Sequence, residues 1–467
     1  MKKYVSMFLV LFLFVMNGPV SVYAAYSAQQ QLIDPLGTNS GGYFSRNLDL
    51  DGDRLAVSAY YYGGGRGAAW VYKRSGTTWS VEPIQNLGED TLCYISGGGE
   101  LQCIAHNSVV DRYAHGIGIS GDDLIIGAWN HREGEVYQGG IATWYWDGSQ
   151  WAPAGGSARP YLLDAEGLAW DQLGWSVAVD GDNFITSAVY DDDTAGDEGS
   201  IFFSAKSGGV WGSLTKIKNP HPEGGDNFGW DVDIDGNYAV VGVPYDDDGA
   251  DPNDSGAAYI YYNNAGTWEL QAEIKASDIY AGDYFGYSVA ISGDYIIVGA
   301  PFKYDNLVAY PGAAYVFVRS GTLWSQQEKI IPTDQEAWSK FGAAVAINGT
   351  TALVGSTFED NENGDNAGSL YAFTRSGTDW TESQKIIAED GGLNEFFGGA
   401  PAVDGNYVVS GQGETAQSNT EVEIFYQAPA GGGVPEFSDY LFLLTIIIAT
   451  GLMVKIVPNI NVNPLKT

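Results

Sequence analysis

Apolar and polar positions alternate along this chain in short runs, and the runs come in sets of four separated by glycine-bearing turns. In the clearest set the runs cover residues 287–291, 295–298, 313–318 and 323–331. Alternation with a period of two over so few residues predicts half-buried β-strands. The first two runs are joined by Ser292-Gly293-Asp294 and the last two by Arg319-Ser320-Gly321-Thr322. Glycine at such turns supplies the positive φ that a twisted hairpin demands. Each set therefore predicts a four-stranded antiparallel sheet.

The set recurs. Eight residues before each first-turn glycine stands a large side chain, at Phe44, Tyr113, Leu173, Phe228, Phe285, Phe341 and Phe397. A fixed period of this size means one supersecondary unit repeated in an array. The second turn recurs too, and a tryptophan follows it at Trp79, Trp151, Trp211, Trp268, Trp324 and Trp380. The seventh set stops after residues 421–426 without a fourth run. Residues 27–35 supply one, reading like residues 325–332. A linear stack would leave both pieces unpaired, whereas a closed ring pairs them and removes exposed sheet edges. The expected fold is all-β: a seven-bladed β-propeller over residues 25–426, with the N-terminal strand completing the last blade.

The ends of the chain carry a different pattern. Lys2 and Lys3 precede an apolar run, and Val22-Tyr23-Ala24 offers small residues for cleavage. Residues 1–24 thus read as a secretory signal peptide. Residues 427–439 form a glycine-rich spacer with a sorting-like motif, and residues 440–457 an apolar run close to the roughly 20 residues of a transmembrane helix. Residues 458–467 are a short tail. The motif, span and basic end resemble C-terminal sorting signals processed by exosortase- or archaeosortase-type enzymes. A plain C-terminal anchor is the other reading. Either one implies an exported protein, at the cell surface or the outer face of the cytoplasmic membrane.

Charge narrows the partners. The 467 residues carry a formal charge of -36, which argues against nucleic acid or anionic lipid and favours cations. The paired motifs Phe228-Gly229 with Gly242-Val243-Pro244, Phe285-Gly286 with Gly299-Ala300-Pro301, and Phe341-Gly342 with Gly355-Ser356 resemble the FG-GAP repeats of the integrin α-subunit propeller and of many bacterial surface proteins. The resemblance implies phenylalanines packed between blades and glycines that let backbones approach. It also implies calcium in a loop of the type Asp-x-Asp-x-Asp-Gly. Here that loop is shortened, to Asp49-Leu50-Asp51-Gly52-Asp53, Asp180-Gly181-Asp182 and Asp233-Ile234-Asp235-Gly236, and alternation splits its acids between faces, so it reads as a hairpin turn.

A second set of acids lies between the second and third strands. The third unit has Asp191, Asp192, Asp193 and Asp197. The fourth has Asp246, Asp247, Asp248, Asp251 and Asp254, and the sixth has Glu359, Asp360, Asn361 and Asp365. Calcium takes six to eight oxygens on a flexible loop, and these loops offer them. At least one is expected to bind calcium; a solvated acidic turn is the alternative. These connections and those from the fourth strand to the next first strand should share one rim, which also carries the insertions at residues 86–111 and 155–172.

Cys93 and Cys103 flank a hairpin-like tip, and in an exported chain a disulfide is expected. His106, His115, His131 and His221 match no metal-ligand spacing. No Gly-x-Ser-x-Gly, His-Glu-x-x-His or phosphate loop is present. The sequence therefore favours a non-enzymatic adhesion or ligand-binding propeller recognising a protein or glycan, with Tyr60, Tyr61, Tyr62 and Trp129 as stacking candidates. An extracellular polysaccharide-degrading enzyme acting at the ring axis, and a structural envelope component, are the alternatives. An enzyme would require a convergent polar cluster at the axis, and first-strand residues are mainly Val, Ala, Ile and Gly, which argues against one.

Overall fold

The computed structural model describes residues 25–33, 44–59, 67–82, 93–95, 101–103, 113–133, 136–154, 161–193, 195–247, 254–305, 307–389, 391–411 and 421–428. Among them there is no α-helix; the regular elements are strands. The expected signal peptide, and the expected membrane helix over residues 440–457, lie outside the described residues.

Seven antiparallel sheets form the seven blades. The fifth is the simplest, with Ser288–Ser292, Tyr295–Ala300, Ala313–Ser320 and Leu323–Ile330 paired in chain order. The ends of these strands fall where the turn glycines put them. In the third blade the outer strand is split into Val210–Trp211 and Thr215–Lys218, both on Ser200–Ser207. The seventh blade joins Ala400–Asp404, Tyr407–Gly411 and Glu421–Gln427 to Tyr26–Ile33, with Gln31 opposite Glu423 and Leu32 opposite Val422. The N-terminal strand thus closes the last blade.

First strands touch first strands all the way round, and Ala400–Asp404 meets Phe44–Asp51 to shut the ring. Phe285 is fully buried in a core that mixes Val240 and Ile260 of the fourth blade with Ile296 and Val298 of the fifth. The glycines act as expected at the same seam. A Cβ on Gly299 would overlap the carbonyl oxygen of Gly342 in the next blade, and Gly411 meets Ser45 in the same way across the closure. Only a residue without a side chain lets the two backbones come this close.

The second-turn tryptophans clamp neighbouring blades. Arg319 lies 4.1 Å over the ring of Tyr238 and 5.8 Å from that of Trp324, so cation–π contacts tie blade four to blade five. Arg375 with Tyr295 and Trp380 repeats the clamp, and Arg74 with Tyr407 and Trp79 carries it across the closure.

Candidate functional site: the axial channel and its rim

First strands from all seven blades line a cavity of about 550 Å³ on the ring axis. Acids reach this axis, which the Val, Ala, Ile and Gly of the first strands do not suggest. Alternation sends Leu50, Val232 and Ile234 into the blade cores, where they are buried. It sends Asp49, Asp51, Asp231, Asp233 and Asp235 to the channel wall, joined there by Asp180 and Asp404.

These acids lace each blade to the next. Asp231, Asp233 and Asp235 accept hydrogen bonds from the backbone N–H groups of Val289, Ile291 and Gly293, at 2.9, 2.7 and 2.6 Å. Asp49 and Asp51 do the same for Ile119 and Gly121. At the first-turn position the pattern runs round the ring. Ser120 serves Gly181, Asp180 serves Gly236, Ser292 serves Gly349, and Asp404 serves Gly52 across the closure. The shortened acidic loops are therefore hairpin turns, as expected, and also straps between blades. Burial pushes the Asp49 carboxyl up to about 7, while the amides of Ile119 and Leu50 pull the other way. Burial raises Asp233 well above the carboxylate range and raises Asp231 as well.

Where the chain enters the first strands of blades two to five, and where it leaves the second strands of blades five and six, the channel mouth carries aromatic rings. Trp175 packs on His115 at 4.4 Å and on Trp230 at 5.3 Å, and Trp230 lies 5.7 Å from Tyr287. Lys340 continues the collar, 5.1 Å from the ring of Phe302 and 3.7 Å from that of Phe358, and Phe358 meets Phe396 at 4.8 Å. Trp175, Trp230, Tyr287, Phe302 and Phe358 are half-buried and line the cavity. Sequence reasoning missed this collar. Its signal was a large residue just beyond several anchor glycines, at Trp175, Trp230 and Tyr287.

The loop-bearing rim is as expected. The glycine closing a second-to-third loop bridges the next anchor at Gly139 with Leu173, Gly312 with Phe341 and Gly368 with Phe397. The candidate calcium residues divide by path. Asp191, Asp246 and Glu359 are buried beneath their loops. Lys216 lies 2.6 Å from both Asp191 and Asp193, with Lys218 3.1 Å from Asp193. Tyr259 donates to Asp246 at 2.8 Å, and Lys275 lies 3.3 Å from it. Tyr371 and Lys385 both donate to Glu359. Asp192, Asp197, Asp360 and Asp365 are exposed and Asp247 and Asp254 are half-buried. Asn361 donates to the Gly368 carbonyl at 2.7 Å. Asp248 and Asp251 lie outside the described residues. Among the described residues no three acids, histidines or cysteines gather into a metal-holding group.

An acid that the sequence reading passed over sits two residues before the anchors. Asp171, Asp226 and Asp283 are buried, and each accepts the backbone N–H three residues back, from Leu168, Glu223 and Tyr280. Burial, with Asp191 and Asp246 nearby, pushes Asp171 and Asp226 up to about 7. Of the other candidates, Trp129 is buried against His115 and Trp175, so it offers no free stacking face. Tyr60, Tyr61, Tyr62 and His106 lie outside the described residues. His115 and His131 are buried in separate aromatic contacts. Cys93 stands directly opposite Cys103 in a two-stranded pair.

Four stretches of this propeller carry FG-GAP repeats. Residues 161–203, 211–261, 268–317 and 324–373 match the FG-GAP repeat model, each running from one blade's outer strand into the next blade. The chain is also 29% identical over 133 residues to integrin alpha-M of Mus musculus, a match covering 25% of this chain and 11% of that protein's length. Among solved structures, the β-propeller domain of the Trilobed protease from Pyrococcus furiosus is 12% identical, with a TM-score of 0.41, over 84% of this chain and 99% of that one. Pyrococcus horikoshii acylaminoacyl peptidase is 13% identical, with a TM-score of 0.42, over 88% and 55%.

Proposed function

We propose that this protein is a surface-displayed, non-catalytic propeller for adhesion, binding a protein or glycan ligand on its loop-bearing face. The observation that carries the reading is the aromatic collar around the mouth of an acid-walled channel. Flat, half-exposed rings on a rigid scaffold suit recognition, because little conformational freedom is lost on binding. The enzyme reading is disfavoured by the same wall. Asp49 accepts Leu50 N–H at 2.8 Å on one oxygen and Ile119 N–H on the other, and Asp233 is tied in the same way by Ile234 and Ile291. Both oxygens of each carboxyl are thus committed to holding backbone, a structural use of these acids.

The exported, C-terminally anchored address belongs to this reading, supported by the apolar runs near both ends of the chain. Protease shaving of intact cells tests it, and the intact mass of the mature protein tests processing by an exosortase-type enzyme. Calcium dependence belongs to it as well. The fourth-blade rim is the place to look: burial, with Asp246 and Asp247 nearby, raises Asp226, and burial beside Asp247 raises Asp254. Calorimetry on metal-free protein with no heat and no thermal shift at millimolar calcium would remove that part.

The central test is a glycan and protein array probed with the purified chain, with and without calcium. A specific ligand is expected, and Trp230→Ala with Tyr287→Ala should abolish its capture. An array without hits, or a set of hits none of which is lost in the double variant, would overturn the reading.

A further inference from the structure

Two inter-blade junctions carry a feature that the other described junctions lack. At each junction one residue lies two positions before the glycine that closes a second-to-third loop. Another lies three positions before the next anchor. These are Asp197 with Gly225, Asp254 with Gly282, and Asn366 with Asn394 at three junctions. At the other two they are Tyr137 with Trp170, and Tyr310 with Trp338. The tyrosine and tryptophan rings pack together, at 5.1 Å and 12° in the first pair and 4.5 Å and 31° in the second.

The backbone makes these tryptophans anomalous. The position three before the anchor is left-handed in all five of these junctions, with φ of 84° at Trp170 and 67° at Trp338 against 95°, 76° and 58° at Gly225, Gly282 and Asn394. Glycine and asparagine tolerate that region; a bulky side chain is strained there. Core burial does not offset the strain, because Trp170 is 59% and Trp338 57% exposed. Strain kept at an exposed position is a mark of function rather than of folding.

The second pair is extended and braced. Tyr304 lies 5.4 Å from Tyr310, and Tyr280 lies 6.4 Å from Tyr304, both exposed. Beneath them Lys303 and Asp283 form a buried ion pair at 2.7 Å. The same Asp283 carboxylate accepts the N–H of Tyr280 at 2.8 Å and of Tyr304 at 3.3 Å. Lys303 occupies the loop position that holds Asp191, Asp246 or Glu359 in other blades. The fifth blade has reversed a buried charge, and the reversal fixes the backbone that carries the rings.

We infer that these two aromatic platforms bind a neutral polysaccharide, the apolar faces of its sugar rings stacking on the tryptophan and tyrosine rings. A charge of -36 repels polyanionic chains. A protein hot spot would seat its aromatic in a closed, desolvated pocket, whereas these two tryptophan rings are more than half exposed. Two like platforms suit a polymer of repeating units, which can engage both and gain by avidity. The site is separate from the channel mouth, so it can fail while the reading of the collar stands.

The test is electrophoresis of the purified chain through gels holding soluble β-glucan, mannan, xylan or galactan. Retardation in at least one is expected. Trp170→Asn or Trp338→Asn should weaken it about tenfold, in line with loss of one stacked ring, and the double variant should migrate as in a plain gel. Asparagine is what Asn394 supplies at the equivalent position, so both variants should melt no lower than the parent. No retardation in any of the four polysaccharides would overturn the inference. So would full retardation of the double variant, a clear drop in melting temperature of the single variants, or tryptophan-dependent capture of a protein instead.

Discussion

Lys303 shows how much one residue decides in this fold. It is 4% exposed and its partner Asp283 is 1% exposed. Removing one charge of a buried pair leaves the other uncompensated in a medium that cannot solvate it. Lys303→Met should therefore cost about 3–5 kcal/mol in urea unfolding, with Asp283→Asn in the same chain restoring part of the loss. Gly299→Ala is a steric case, and forcing a Cβ against the next blade's backbone should cost about 2–4 kcal/mol by the same measurement. The glycines were readable as residues, because only close approach explains them at that spacing. The lysines were not. Asp191, Asp192 and Asp193 read as one acidic patch, yet the loop path buries the first, exposes the second and half-buries the third. The lysine that neutralises the buried one arrives from the outer strand, at no fixed spacing.

Strands and turns were legible because their signals are local: alternation sets the face, and glycine sets the end. What joins one blade to the next was not, because each strap and its acceptor sit in different repeats. The Asp235 carboxylate holds the N–H of Gly293, 58 residues away. Asp235→Ala should cost about 1.5–3 kcal/mol, as for hydrogen bonds to charged groups. Hydrogen exchange should quicken at Gly293 first, and unchanged protection there would show that the strap is not holding the turn. The small pair of strands at Cys93–Ile95 and Leu101–Cys103 places its two cysteines opposite each other in register. A disulfide between them should leave no thiol for alkylation without reductant. Cys93→Ser should then lower stability by about 2–3 kcal/mol.

At the scale of the whole molecule, the ring concentrates acids where water is scarce, and this makes its stability depend on pH. Asp49, Asp171 and Asp226 are each pushed up to about 7, and Asp233 lies well above its ordinary range. In the unfolded chain all four titrate near 3.9. Between pH 5 and pH 7 the folded ring therefore binds protons that the unfolded chain does not. By linkage, its stability falls as pH rises through that window and is greatest on the acid side. Each such group contributes up to about 1.4 kcal/mol per pH unit. The lysine-paired acids Asp193, Asp278 and Asp334 work the other way. Their partners hold them below 3.8, so they favour folding at every pH above 4 and weaken it only in stronger acid. Calorimetric melting should thus move upward from pH 8 to pH 5 before it drops. Asp171→Asn, which cannot ionise, should flatten the rise. A melting temperature that falls steadily over that range would mean that Asp49, Asp171, Asp226 and Asp233 are already charged in the folded ring, carboxylates rather than carboxylic acids.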